Sequence, residues 1–168
     1  FCMVKSGDPA GMLDPAEPFH VAKSVASLGL RYVVLTSVDR DDLPDGGASH
    51  FAETVKAVKH ERPSVIVEVL IPDFRGDSHA VRKVVEAEPD VVAHNIEVVE
   101  RLTPQVRDTR AGYSKSLTVL KTVKKLAPQI YTKSSIMVGL GETFEEAVKA
   151  MKDLRSVGRV FPTIGQFF

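Results

Sequence analysis

Lys133 and Ser135 stand in an otherwise apolar, β-rich run, residues 130–138. A lysine on a strand that is covered on both sides requires a partner or a ligand, because burying an unpaired ammonium is costly. Other apolar runs also lead into groups able to bind or react. One ends in Thr36-Ser37-Val38-Asp39-Arg40-Asp41-Asp42 and another in Pro72-Asp73-Phe74-Arg75-Gly76-Asp77. A third ends in His94-Asn95-Ile96-Glu97, the run holding Lys133 ends in Gly139-Leu140-Gly141-Glu142, and the last run carries Thr163 and Gln166. Each piece alone also has a plainer reading. Asp39 to Asp42 reads equally as a solvated loop with local ion pairs. A histidine in an apolar run is more often a satisfied core residue than a catalyst. The glycines serve backbone geometry at a strand-to-helix turn, Asp73 and Asp77 serve as turn and cap residues, and Cys2 by itself is a plain thiol.

These groups need elements to position them, and the periodicity supplies a regular alternation. Asp14-Pro15-Ala16-Glu17 predicts a helix start with a capping box, followed by Val21, Val25 and Leu28 at helical spacing and Gly29 as C-cap. Residues 31–37 read as a buried strand. Phe51, Val55 and Val58 mark a second helix, and residues 65–71 a second strand. Asp77 caps a helix carrying Val81, Val84 and Val85, and residues 91–96 form a third strand. Residues 97–110 are polar, with a short helix near 98–102. Residues 114–126 are helical and 130–138 are the fourth strand. Thr143-Phe144-Glu145-Glu146 is another capping box ahead of Met151 and Leu154, and residues 159–168 are a last strand. Alternation at this spacing predicts an α/β fold of parallel strands joined by right-handed crossovers. An open doubly wound sheet and part of a β/α barrel both fit. The first strand is not followed by a dinucleotide fingerprint, which counts against the former. In either fold the carboxyl ends of the strands share one mouth, and the polar groups above fall there.

Composition narrows the function. The chain has 168 residues, 43% of them apolar, enough for one folded domain over residues 1–168. Lys plus Arg equals Asp plus Glu, so no charge excess points to nucleic acid or to an anionic membrane. No apolar run approaches the roughly 18 residues of a membrane span, and no signal peptide is visible. Phe1-Cys2-Met3-Val4 reads as the inside of a fold, so a truncated chain is expected. Cys2 is the sole cysteine and cannot by itself form an internal disulfide or hold a metal cluster.

Taken together, the segments resemble the lipoyl synthase family of radical S-adenosylmethionine enzymes. Phe1-Cys2-Met3-Val4-Lys5 resembles the end of the C-x3-C-x2-C cluster motif as that family carries it. The stretch Thr36-Ser37-Val38-Asp39-Arg40-Asp41-Asp42-Leu43-Pro44-Asp45-Gly46-Gly47 is similar to its long signature, and Glu68-Val69-Leu70-Ile71-Pro72-Asp73-Phe74-Arg75-Gly76-Asp77 to a second. His94-Asn95-Ile96-Glu97, Val106-Arg107-Asp108, Thr132-Lys133-Ser134-Ser135-Ile136-Met137 and Gly139-Leu140-Gly141-Glu142-Thr143 match four further stretches of it. Thr163-Ile164-Gly165-Gln166 resembles the sixth-strand region. The likeness runs in order through essentially the whole chain. Arg159-Val160-Phe161-Pro162 departs from the usual Cys-Asp-aliphatic-Leu run, and residues 6–13 are unusual for the family.

The resemblance implies a partial (β/α)6 barrel whose first strand is absent from this chain, together with the first two cluster cysteines, the auxiliary-cluster cysteines and a C-terminal serine. It implies two [4Fe–4S] clusters per full-length protein, with Cys2 as a thiolate ligand of the first, and S-adenosylmethionine as cofactor. Thr36, Ser37, Val38 and Asp39 would face the methionine amino group. Asn95 and Glu97 would bind the ribose hydroxyls, since an amide and a carboxylate suit them. Lys133 and Ser135 would hold the methionine carboxylate or the ribose, with Met137, Gly139 and Glu142 near the adenine. Arg40 or Arg75 would hold the substrate loop or the auxiliary cluster. The implied activity is radical insertion of two sulfur atoms, at carbons 6 and 8 of a protein-bound octanoyl-lysine. The implied partners are octanoylated carrier domains (glycine cleavage H protein, 2-oxoacid dehydrogenase E2) and a donor such as ferredoxin or flavodoxin. It implies a soluble enzyme, in the cytoplasm of a bacterium or the mitochondrion or plastid of a eukaryote. This chain alone would be inactive. Competing readings are another sulfur-inserting radical enzyme such as a biotin synthase, a barrel aldolase using Lys133 as a Schiff-base amine, and a truncated, non-catalytic module that binds the carrier.

Overall fold

The computed structural model describes residues 7–166. Five strands, β1 (Tyr32–Thr36), β2 (Ile66–Leu70), β3 (Val91–Ala93), β4 (Tyr131–Val138) and β5 (Val160–Gln166), form one sheet. Every neighbouring pair is parallel and the spatial order is the chain order, β1-β2-β3-β4-β5. That order decides between the two architectures left open above. A doubly wound sheet needs a reversal of strand order, with helices on both faces. An unbroken sequential order with right-handed crossovers puts every helix on one side, as in a barrel wall. The chain is therefore part of a β/α barrel.

The helices are α1 (Glu17–Ser27), α2 (Ala48–Glu61), α3 (Ser78–Val85), α4 (Thr103–Val106), α5 (Tyr113–Leu126) and α6 (Phe144–Ser156). Asp77 caps α3 by accepting from the His79 amide, and Thr143 with Glu146 forms the capping box of α6. Gly29 follows α1 with φ 63°, as a C-terminal glycine should. The start of α1 differs from expectation. Asp14 accepts from the Ala16 amide at 2.9 Å, which makes a turn before the helix. The N-cap is Ala16, without a side-chain cap, and Pro18 supplies the first-turn proline. Glu17 does not close a capping box; its carboxylate meets His50 Nε2 at 2.6 Å.

β3 is also shorter than expected, because side chains replace its ladder bonds. Ser134 Oγ accepts the Ile96 amide at 3.1 Å and Asn95 Oδ1 accepts the Ser135 amide at 3.0 Å. Pairing returns only at Glu97, whose φ of 66° is left-handed and which bridges Ile136. Burial runs along the helix side of the sheet: Val67, Val69 and Val92 are fully buried. One apolar cluster joins β1 to β3 with the first helices, and another packs around Ile96, Leu120, Ile136 and Leu154.

Candidate active site at the strand mouth

Side chains alternate across a strand, so the residues between those core valines face the concave side of the sheet. Glu68 is one of them. It lies between Val67 and Val69, is 3% exposed, and accepts from the Tyr32 hydroxyl of β1. It also accepts from Lys133 Nζ of β4, at 2.9 Å to Oε1 and 3.2 Å to Oε2. Lys133 reaches across β3 at its small residue, Ala93, with which it is in register. The carboxylate thus ties three strands together at mid-height. The Tyr32 phenol is pushed up to about 12, first by desolvation and then by the Glu68 bond and charge. Lys133 has the partner its position demanded, and that partner is a protein carboxylate.

Above this brace, toward the carboxyl ends, polar groups are left over. Asn95 uses its carbonyl on Ser135 N, and its amide nitrogen has no partner among the described residues. The hydroxyls of Thr36, Ser37 and Ser135 and the carboxylate of Glu97 also have no hydrogen-bond partner among the described residues. Ser135 and Met137 are half-buried on the same face, while Thr36, Ser37, Val38 and Asp39 are exposed at the end of β1. The Asp39 carboxyl is held above the usual aspartate range, chiefly by desolvation and then by Asp41 and Asp73. In the turn after β4, Gly139 and Gly141 have φ of 100° and 99°. The Glu142 carboxylate is taken up inside that turn by the amides of Gly139 (2.7 Å) and Leu140 (3.0 Å), which hold it below the usual glutamate range.

The structure brings together Asn95, Glu97, Ser135 and Met137, whose strands are adjacent, and sets the turn 139–142 beside them. It gives Arg40 and Arg75 structural work: Arg40 forks onto Asp42, and Arg75 donates to the carbonyls of Leu43 and Pro44. His94 is a satisfied core residue. It is 4% exposed, with Nδ1 at 2.8 Å from the Ile71 carbonyl and Nε2 at 3.0 Å from Ser116 Oγ. Burial holds its pKa down.

Two site residues escaped the sequence reading. One is Glu68, whose signal is a carboxylate amid valines in a buried strand. The other is Arg107, inside the Val106-Arg107-Asp108 stretch. Arg107 donates to Ser116 Oγ at 3.0 Å and to the Ile96 carbonyl at 3.4 Å. Burial weakens its hold on its proton, while Glu97, Asp73 and Asp39 oppose that. It makes no direct ion pair among the described residues, so a cation stands ready at the mouth.

A partial parallel barrel with open polar groups at its carboxyl end is the architecture of the class to which the sequence belongs. Residues 1–154 match the Radical SAM superfamily, and the chain is a member of it. More narrowly, it is similar to lipoyl synthases. It is 59% identical over 167 residues to the lipoyl synthase of Thermus thermophilus, covering 99% of this chain and 52% of that protein. It is 63% identical over 167 residues to that of Pyrobaculum calidifontis, covering 99% and 57%. The chain thus spans about half the length of these relatives. Methylornithine synthase has a similar fold, with a TM-score of 0.70 at 18% identity over 92% of this chain and 45% of that one.

Membership of the superfamily carries S-adenosylmethionine and an iron–sulfur cluster with it. The mouth fits the first. Its unspent amide, hydroxyl, carboxylate and guanidinium groups match a ligand with ribose hydroxyls and an amino-acid end. Cys2 lies outside the described residues. Among the described residues, no group of three or more His, Cys, Asp or Glu is placed to hold a metal ion.

Proposed function

We propose that this chain is the barrel of a lipoyl synthase, which inserts sulfur at carbons 6 and 8 of a protein-bound octanoyl-lysine to give lipoyl-lysine. The observation that carries this reading is the likeness to lipoyl synthases along nearly every residue of the chain. Bound S-adenosylmethionine, with its cluster, supplies a 5′-deoxyadenosyl radical for hydrogen abstraction.

The chain's own residues bind and orient. Asn95, through its open amide nitrogen, and Glu97, through its carboxylate, hold the ribose hydroxyls. Ser135 donates beside them. Thr36, Ser37, Val38 and Asp39 surround the methionine amino group, whose positive charge the Asp39 carboxylate offsets. Arg107 is the stronger candidate for the methionine carboxylate, because Lys133 is already neutralised by Glu68; Lys133 then supports the site from below. Met137 and the turn 139–142 flank the adenine. In that turn Glu142 acts indirectly, by fixing the backbone that meets the ring. Cys2 contributes one cluster thiolate, and the other cysteines come from outside this sequence. A second, auxiliary cluster, held by cysteines that this sequence does not carry, would supply the sulfur. The partners are octanoylated carrier domains and a one-electron donor such as ferredoxin or flavodoxin. The aldolase alternative loses ground, since an amine engaged by both oxygens of a buried carboxylate is not free to attack a carbonyl.

The test is anaerobic turnover by the full-length protein, reconstituted with iron and sulfide, with S-adenosylmethionine and an octanoylated carrier domain. Lipoyl-lysine is expected by mass spectrometry. Turnover of dethiobiotin instead, or no sulfur insertion into the octanoyl chain, would overturn the reading.

A further inference from the structure

The segment after β3, with Asn95 and Glu97, and the turn after β4 are far apart in sequence yet flank one mouth. On the outer side of the barrel a single guanidinium joins them. Arg101 forks onto Glu146, with Nε to Oε1 at 2.6 Å and Nη2 to Oε2 at 3.0 Å, and Nη2 also donates to the Gly141 carbonyl at 2.8 Å. Glu146 is also the capping residue of α6, accepting from the Thr143 amide at 2.8 Å. One side chain therefore holds both the Gly141 carbonyl of the turn and the start of the helix that follows it.

The turn needs such a hold. Two left-handed glycines give its backbone wide freedom. Glu142 fixes the amides at its front, and Arg101 fixes the carbonyl at its back. A half-exposed ion pair adds little to global stability, but a bidentate fork fixes orientation. α6 has an independent tie to the same segment. Lys149 bridges Glu100 (3.0 Å) and Asp153 (2.8 Å), and the Tyr113 hydroxyl donates to Asp153 at 3.0 Å. Removing Arg101 thus loosens the turn without freeing the helix.

We infer that Arg101 is a positioning residue: through Gly141 and Glu146 it sets the turn 139–142 against Asn95 and Glu97, and with it the affinity of the mouth for a purine nucleoside. The inference rests on the reading of the mouth as the nucleoside end of the cofactor site.

The test compares the unmodified chain with Arg101→Leu and Arg101→Lys by amide hydrogen exchange and by titration with 5′-deoxyadenosine. Arg101→Leu is expected to speed exchange at residues 139–142 by about 5-fold or more. It should weaken the nucleoside by about 3–10-fold with an unchanged melting temperature. Arg101→Lys, which keeps the charge but not the fork, should fall between. Unchanged exchange, or faster exchange with unchanged nucleoside affinity, overturns the proposal. Asn95→Ala in the same titration separates the two readings. If it too leaves affinity unchanged, the mouth is not a nucleoside site. If it weakens binding while Arg101→Leu does not, only the positioning role fails.

Discussion

Val67 and Glu68 are neighbours in β2 and face opposite sides of the sheet. On the helix side, polar groups are closed. His94 spends both ring nitrogens, Ser116 Oγ meets His94 and Arg107, Ser134 takes the Ile96 amide, and Thr132 donates to the Arg159 carbonyl at 2.9 Å. On the concave side the brace of Tyr32, Glu68 and Lys133 is closed, whereas Thr36, Ser37, Asn95, Glu97 and Ser135 above it each keep an unused donor or acceptor among the described residues. The contrast separates polar residues that hold the fold from those kept for a ligand. Burial demands satisfaction, so an unsatisfied polar group can persist only where a ligand or water reaches it.

The largest test breaks the brace. Glu68→Leu should cost about 2–3 kcal/mol in urea unfolding, somewhat below a fully buried pair because Lys133 remains one-third exposed. Glu68→Leu with Lys133→Met should recover most of it, and Tyr32 should titrate nearer 10 by ultraviolet absorbance. If the single substitution is neutral, the concave face is not braced there. Val67→Ala, one residue away, should cost about 2 kcal/mol through cavity formation, with no recovery from the Lys133 change.

A second test uses pH on the helix side. Burial holds the folded-state pKa of His94 below the ordinary histidine value of about 6.5, so the folded state binds the proton more weakly than the unfolded one. The stability this contributes is fully present above pH 6.5 and is lost as pH falls toward the folded-state value. The slope is at most about 1.4 kcal/mol per pH unit. Denaturant midpoints at pH 7.5, 6.5 and 5.5 should show the fall, and His94→Asn should flatten it. An unchanged slope in that variant would place the acid sensitivity elsewhere.

The smallest stability effect belongs to Ser135→Ala. It should lie within about 0.5 kcal/mol, because its hydroxyl has no hydrogen-bond partner among the described residues. The same substitution should weaken 5′-deoxyadenosine binding by about 2–10-fold. A large stability loss would move Ser135 to the closed class.

Much of the fold was legible in the residues. Asp77 and the Thr143–Glu146 box mark helix starts because a short acceptor side chain reaches first-turn amides wherever the chain sits. The start of α1 misled because the proline and carboxylates permit two starts two residues apart, and His50, distant in sequence, takes Glu17. The end of β3 misled because Ser134 and Asn95 substitute for the ladder, which no strand periodicity encodes.

The sequence by itself determined the alternation of elements, the placement of polar residues at strand ends and the family likeness, because these depend on local spacing and residue type. The tertiary structure alone decided that the helices share one side, that Lys133 belongs to Glu68 and that Glu142 serves its own turn. It also decided that Arg107 stands at the mouth without a direct ion pair among the described residues. Each of these depends on which strands and loops become neighbours, and the choice of partner for a charged group is settled only when distant segments are brought within hydrogen-bonding distance.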